Sequence, residues 1–312
     1  MSHSGSIILP VGTQVVTSVD LRQPGGEPDL PRGAVGVVVV APTDAEHSYR
    51  VRFVDGREVA LRRSEIAVRS VEQRAGLERS DGEGLAESLY EHIIYRCIVG
   101  SRAYGLAGGE SDVDRRGIYL PPADLHWSLA GVPEQLERPA TEECYWEARK
   151  FLTLALKANP NILECLYTPL VELATPLAGE LLAMRESFLS KLVYQTYNGY
   201  VLSQFKKLEQ DIRVRGEIRW KHAMHLIRLL LAGITTLREG YVPVQAGEHR
   251  ERLLAIRRGE LHWDEVEAWR LSLHRELDAA YSATRLPERP DYARANAFLL
   301  RARRSAAMLG EG

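Results

Sequence analysis

An apolar run at 93–99, a Gly-Ser pair at 100–101 and an Asp-Val-Asp triplet at 112–114 constrain this chain more than any other stretch. A second apolar run follows the triplet. The two runs read as neighbouring strands, with the Gly-Ser turn opening a helix over 100–107. Alternate side chains of a strand share a face. With Val113 toward a core, Asp112 and Asp114 both face outward at the start of a strand over 113–120. Adjacent carboxylates repel, and a divalent cation between them relieves the repulsion. Oxygen ligands in this number suit Mg²⁺, which takes one or two protein carboxylates plus phosphate oxygens. Gly100 and Ser101 would offer backbone N–H groups and a hydroxyl to a phosphate at the helix N-terminus. Such a site performs phosphoryl transfer.

The 312 residues are enough for two or three domains, and 45% hydrophobic with 26% charged content is that of a globular chain. Net charge is −2, so no global basic field marks a nucleic-acid binder. A local patch is still open, and the arginines at 294, 301, 303 and 304 are one candidate. Cys97, Cys144 and Cys165 are too dispersed for a disulfide framework or a zinc motif. The start lacks a signal peptide pattern, and the most apolar helix, around 223–237, contains His225 and Arg228. The expectation is a cytoplasmic protein with no membrane span.

Three domains are expected: 1–70, 71–175 and 176–312. The first alternates apolar residues at 13–19, 36–40, 49–54 and 59–62, with a closing segment at 65–68. Turn residues at 24–26, 31–33 and 55–56 separate these runs, and Asp55-Gly56 predicts a two-residue hairpin. This resembles the small SH3-like (KOW-type) barrels appended to bacterial proteins. A polar stretch at 79–84 marks the passage to the second domain. That domain continues after the strand at 113–120 with a loop through Trp127 and Pro133. A strand at 144–148 and a helix at 149–158 follow, stopped by Asn159-Pro160. From Pro176 onward the pattern is helical, at 177–186, 188–209, 217–239, 248–258, 264–283 and 291–309. The fold class is α+β.

Three ordered blocks, GSRAYGL…SDVDRRGIYLPP, RKFLTLALKANPNILECL and KHAMHLIRLL, resemble the DNA polymerase β-like nucleotidyltransferase superfamily. Within it they are similar to the bacterial predicted nucleotidyltransferases associated with RNA repair. The resemblance runs over roughly 90–296. It implies a mixed sheet flanked by helices and Mg²⁺-dependent transfer of a nucleoside monophosphate from NTP to a hydroxyl. It further implies two metal ions held by Asp112 and Asp114, with a third carboxylate on a neighbouring strand. Glu147, in Trp-Glu-Ala, is the choice for that residue, and Glu143 is the fallback. Gly100 and Ser101 would hold the β- and γ-phosphates, and Arg102 would add a cation.

Arg115 and Arg116 are read evenly as phosphate contacts or as charge balance beside the aspartates. Lys221, His222, His225 and Arg228 put a polar stripe on an apolar helix, fit for nucleotide or acceptor phosphates or for an interhelical contact. The acceptor expected is an RNA 3′ end, such as that of tRNA. Alternatives are a protein hydroxyl, as in nucleotidylating antitoxins, a small molecule, or a catalytically silent RNA-binding module. The oligomeric state is not legible.

Overall fold

A computed structural model of the chain describes residues 8–22, 28–42, 44, 47–70, 87–109 and 111–309. The polar stretch at 79–84 and the turn at 24–26 lie outside the described residues. Two compact units form, Met1–Leu85 and Ala86–Gly312.

In the first unit the five expected strands appear as β1 (Gln14–Thr17), β4 (Val35–Val40), β5 (Tyr49–Phe53), β6 (Glu58–Leu61) and β7 (Ile66–Val68). They make one antiparallel sheet in the order β6-β5-β4-β1-β7. A small ribbon, β2 (Leu21–Arg22) with β3 (Pro28–Leu30), branches between β1 and β4. Alternation works as expected: Tyr49, Val51 and Phe53 face the core with Val15, Val38 and Leu61, while Arg50 and Arg52 face water. The hairpin differs from the expected two-residue type. Phe53 N–H bonds the Arg57 carbonyl at 2.9 Å, Gly56 N–H bonds that of Phe53, and Gly56 has φ +85°. The loop is therefore three residues, a turn completed by a left-handed glycine.

The second unit is built on a mixed sheet in the order β10-β11-β9-β8-β12. These strands are β8 (Ile93–Ile98), β9 (Arg115–Tyr119), β10 (Gln135–Arg138), β11 (Glu143–Glu147) and β12 (Val171–Ala174). Only the β9–β11 pair is parallel. Ile93, Tyr95 and Cys97 bury one face of β8. Against that face pack helices α3 (Ala148–Ala155) and α4 (Pro160–Tyr167), and Tyr95 donates its hydroxyl to the Cys165 carbonyl at 2.6 Å. Asn159 starts α4 by accepting from the N–H groups of Asn161 and Ile162. All three cysteines are free and buried.

Two short helices, α1 (Gly100–Ala103) and α2 (Ala123–Trp127), follow β8 and β9. The helical part comprises α5 (Pro176–Ala183), α6 (Leu192–Arg215), α7 (Trp220–Glu239), α8 (Arg250–Arg258), α9 (Trp263–Ala283) and α10 (Tyr292–Leu309). Helix α7 is its axis: Ala223, Leu226, Ile227 and Leu230 are buried in the same cluster as the inner sheet face. Several expectations shift. The helix expected over 100–107 is one turn, because Gly105 takes φ +70° and ends it. The loop expected through Trp127 and Pro133 holds α2 and leads into edge strand β10. The exposed edge strand β12 had no periodic signal, since all four of its residues face water. Among the described residues no helix is long and apolar enough to cross a membrane.

Candidate active site

The strand carrying the aspartates begins later than expected, at Arg115 rather than 113. Asp112 and Asp114 sit on the extended approach to β9. Val99 N–H bonds the Asp114 carbonyl at 3.0 Å, which holds the approach beside the end of β8. Gly100 comes next, with φ +70°, and a Cβ placed there would stand 2.3 Å from Asp114 Oδ2. Any side chain would displace the carboxylate, so Gly100 is what lets Asp114 lie over the turn.

A cleft of about 550 Å³ opens here, lined by Ser101, Asp112, Asp114, Glu142, Lys221 and Arg257. Its remaining wall is the glycine turn 108–109 with Ser111, which closes on itself: Gly108 N–H donates to Ser111 Oγ at 2.8 Å. Three acidic and two basic side chains thus share one polar cleft. Among the described residues no three His, Cys, Asp or Glu side chains stand close enough to make a metal cage by themselves. The donor set nevertheless fits Mg²⁺. That ion binds through one or two carboxylates and completes its shell with phosphate oxygens and water.

Of the sequence candidates, Ser101, Asp112 and Asp114 line the cleft together, with Gly100 against Asp114. Glu147 does not join them. Parallel pairing sets Glu143 against Arg115 and Glu147 against Tyr119, so Glu147 lies four residues, about 13 Å, farther along the sheet. There it is buried, caps α3 by accepting Arg149 N–H at 2.9 Å, and pairs with Arg303. The fallback, Glu143, stands at the right level of the strand, but its carboxylate accepts the Tyr145 hydroxyl at 3.0 Å.

The carboxylate that lines the cleft is Glu142, one residue before β11. The same register that pairs Arg115 with Glu143 sets Glu142 beside Asp114. Its carbonyl takes Arg115 N–H at 3.2 Å and Arg116 Nη1 at 2.6 Å, and its backbone is left-handed at φ +52°. A non-glycine residue in that conformation is strained and is held there by its surroundings. Only the parallel register of β11 on β9 puts Glu142 at the same end of the sheet as the aspartates, and no sequence pattern displays that register.

The basic candidates divide sharply. Arg102 is exposed and folds back along the surface, donating to the carbonyls of Ser111, at 2.7 Å, and Asp112, which braces the aspartate loop. Arg116 ties the Glu142 carbonyl to Asp114, whose Oδ1 is 3.4 Å from Nη2. Arg115 pairs with Glu172. Arg228, 3% exposed, holds Glu164 at 2.6 Å and stacks over the Tyr104 ring, while Tyr104 donates its hydroxyl to the other Glu164 oxygen at 2.6 Å. Burial first, then Glu164, raise the Tyr104 phenol well above its ordinary range, so it stays a donor. His225 is held down at about 4 by burial and then by the Arg228 charge. His222 is shifted down by burial and by Arg219. Neither histidine lines the cleft, and both favour the neutral ring. The stripe on α7 therefore splits: Lys221 reaches the cleft, and Arg228 is an interhelical contact.

Arg257 carried no sequence signal. It lies on α8, which docks on the turn after α1: Arg257 donates to the Leu106 carbonyl at 2.6 Å and Arg250 to that of Gly105 at 2.8 Å. Ala246 N–H bonds the Tyr104 carbonyl at 2.9 Å.

A family model described as the RNA repair pathway DNA polymerase beta family matches residues 64–301, a span that includes every cleft residue. The chain belongs to this family. Membership in the RNA repair polymerase beta family stands beside a fold of one mixed sheet with flanking helices. The chain is also 27% identical over 154 residues to the uncharacterized protein YcgL of Bacillus subtilis (strain 168). That match covers 48% of this chain and 58% of YcgL.

Proposed function

We propose that the protein is a Mg²⁺-dependent nucleotidyltransferase that moves a nucleoside monophosphate from NTP to an acceptor hydroxyl, the 3′ end of an RNA such as tRNA. One observation carries this reading: Asp112 and Asp114 open together onto a cleft that Lys221 and Arg257 also line. Carboxylates for metal and cations for phosphate then share one space of triphosphate scale, about 550 Å³. Membership in an RNA repair pathway family supports RNA as acceptor.

In the reaction the acceptor oxygen attacks the α-phosphorus, a new P–O bond forms, and the bond to pyrophosphate breaks. Asp112 and Asp114 would hold the divalent cation, which when bound supplies Lewis-acid polarisation of the phosphate and neutralises developing charge. Ser101 Oγ–H donates to a phosphate oxygen beside the bare Cα of Gly100. Lys221 and Arg257 bind the β- and γ-phosphates and stabilise the departing pyrophosphate. Glu142 takes the proton from the acceptor hydroxyl. Arg102 and Arg116 touch no substrate and keep the carboxylates in place.

The test incubates the full-length protein with each α-labelled NTP, Mg²⁺ and either total RNA or total protein. Label entering RNA supports the reading, and Asp112→Asn or Asp114→Asn should lower it by about 10³-fold or more with little change in melting temperature. Label in protein alone would replace the acceptor. Variants active within a few-fold of wild type would overturn the assignment of the cleft.

A further inference from the structure

The cleft is small, and a polymeric acceptor must be held outside it. The cations near the two ends of the sheet are disposed very differently. Helix α10 brings Arg303 to Glu147 and Arg301 to Glu180, beside a groove lined by Ile93, Leu120 and Leu177. Ile93 and Leu120 lie at the end of the β8–β9 pair opposite to Asp114. Arginines there are far from the reacting atoms.

The hairpin of α6 and α7 is placed otherwise. Its second helix begins at Trp220, and Lys221 lines the cleft. Residues 206–221 around its tip hold six cations (Lys206, Lys207, Arg213, Arg215, Arg219, Lys221) against three acids (Glu209, Asp211, Glu217), in a chain of net charge −2. Arg219 pairs with Asp211 and Arg270 approaches Glu209, so two of the three acids are neutralised. Lys206, Lys207 and Arg213 are exposed and make no ion pair among the described residues. They spread free charge over about 10 Å of helix. Tyr200, Lys207 and Val214 recur every seven residues on the same side of α6, each exposed, and Val214 is 73% exposed. A row of cations flanked by an open aromatic ring and an apolar side chain suits a single strand, whose phosphates seek charge and whose bases seek flat apolar partners.

We infer that the outer face of α6 at the hairpin tip is the track for the single-stranded 3′ segment of the RNA acceptor, leading to Lys221 and the cleft. This rests on the transfer reading for its substrate class, but its test reads binding and needs no chemistry. Fluorescence anisotropy of a labelled single-stranded RNA oligonucleotide is followed over a salt series with the full-length protein. The Lys206→Ala/Lys207→Ala/Arg213→Ala variant should weaken binding about tenfold or more at low salt. It should also reduce the slope of log K against log salt by about 2, near 0.7 per lost phosphate contact. Affinity for Mg²⁺ with a non-hydrolysable NTP should stay within about twofold, since none of the three lines the cleft. Arg294→Ala/Arg304→Ala on α10 should leave RNA affinity unchanged. Three results would overturn the inference: wild type that does not bind RNA at low salt, a triple variant that binds like wild type, or polyglutamate binding where RNA does not. None of these depends on whether Asp114→Asn abolishes transfer.

Discussion

The two ends of the central sheet hold carboxylates in opposite circumstances. At one end Asp112, Asp114 and Glu142 line an open cleft, and what braces them is mostly their backbone: Arg102 and Arg116 hold carbonyls. At the other end Glu147 is 6% exposed, occupied by Arg149 N–H and Arg303, and closed in by α10. A buried carboxylate with its lone pairs satisfied by the protein has none to offer a substrate. Acidity alone does not separate the two. Occupancy does.

The largest way to test this contrast is at the buried end. Arg303→Met leaves Glu147 without its cation and should cost about 3–5 kcal/mol of stability, measured by urea unfolding. Transfer per folded molecule should stay near wild type. A variant with unchanged stability and activity down more than tenfold would move Glu147 into the chemistry.

His225 lies on α7 between free Lys221 and buried Arg228. An unfolded histidine titrates near 6.5, and here the folded ring is held at about 4. As pH falls the unfolded chain binds the proton first, so the contribution is whole above about pH 6.5 and is lost progressively toward pH 4. It amounts to about 3 kcal/mol. His225→Gln should flatten this acid arm, seen as a smaller fall in urea midpoint between about pH 7 and pH 4.5. Equal falls in both proteins would show that the helix interior does not exclude the charged ring.

At the open end, Glu142→Gln should lower kcat about ten- to a hundredfold, or about 1.4–2.7 kcal/mol in the barrier, with KM for NTP little changed. Glu147→Gln should show the reverse, a loss of melting temperature with kcat retained. If Glu142→Gln only destabilises, the cleft lacks its third carboxylate.

Much of this was legible because it is local. The apolar runs gave β8 and β9, the Asp55-Gly56 turn gave a hairpin, and Gly100, Ser101, Asp112 and Asp114 are close in sequence and meet in space. Glu142 was not legible because its place depends on the parallel register of two segments nearly 30 residues apart. Its own residue lies outside the strand, in a backbone conformation that no periodicity marks. Two of the arginines are undecided by sequence for a related reason. Whether Arg228 or Arg303 is free depends on which carboxylate a distant element presents, and only docking of α7 and α10 decides that. Helix positions after 176 survived better, within a few residues at most ends, since an apolar stripe on a long helix is its own record.

The docking of α8 on the turn after α1 has a consequence for how the molecule comes into being. Tyr104, Gly105 and Leu106 have their carbonyls satisfied by Ala246, Arg250 and Arg257, some 140 to 150 residues later. A ribosome that has released the sheet has made the aspartates but not the clasp that steadies the turn beside them. Such distant pairings form late, because the intervening chain must be ordered first. The nascent protein therefore carries an unfinished cleft while some 140 further residues are made, and the cleft is complete only when α8 arrives.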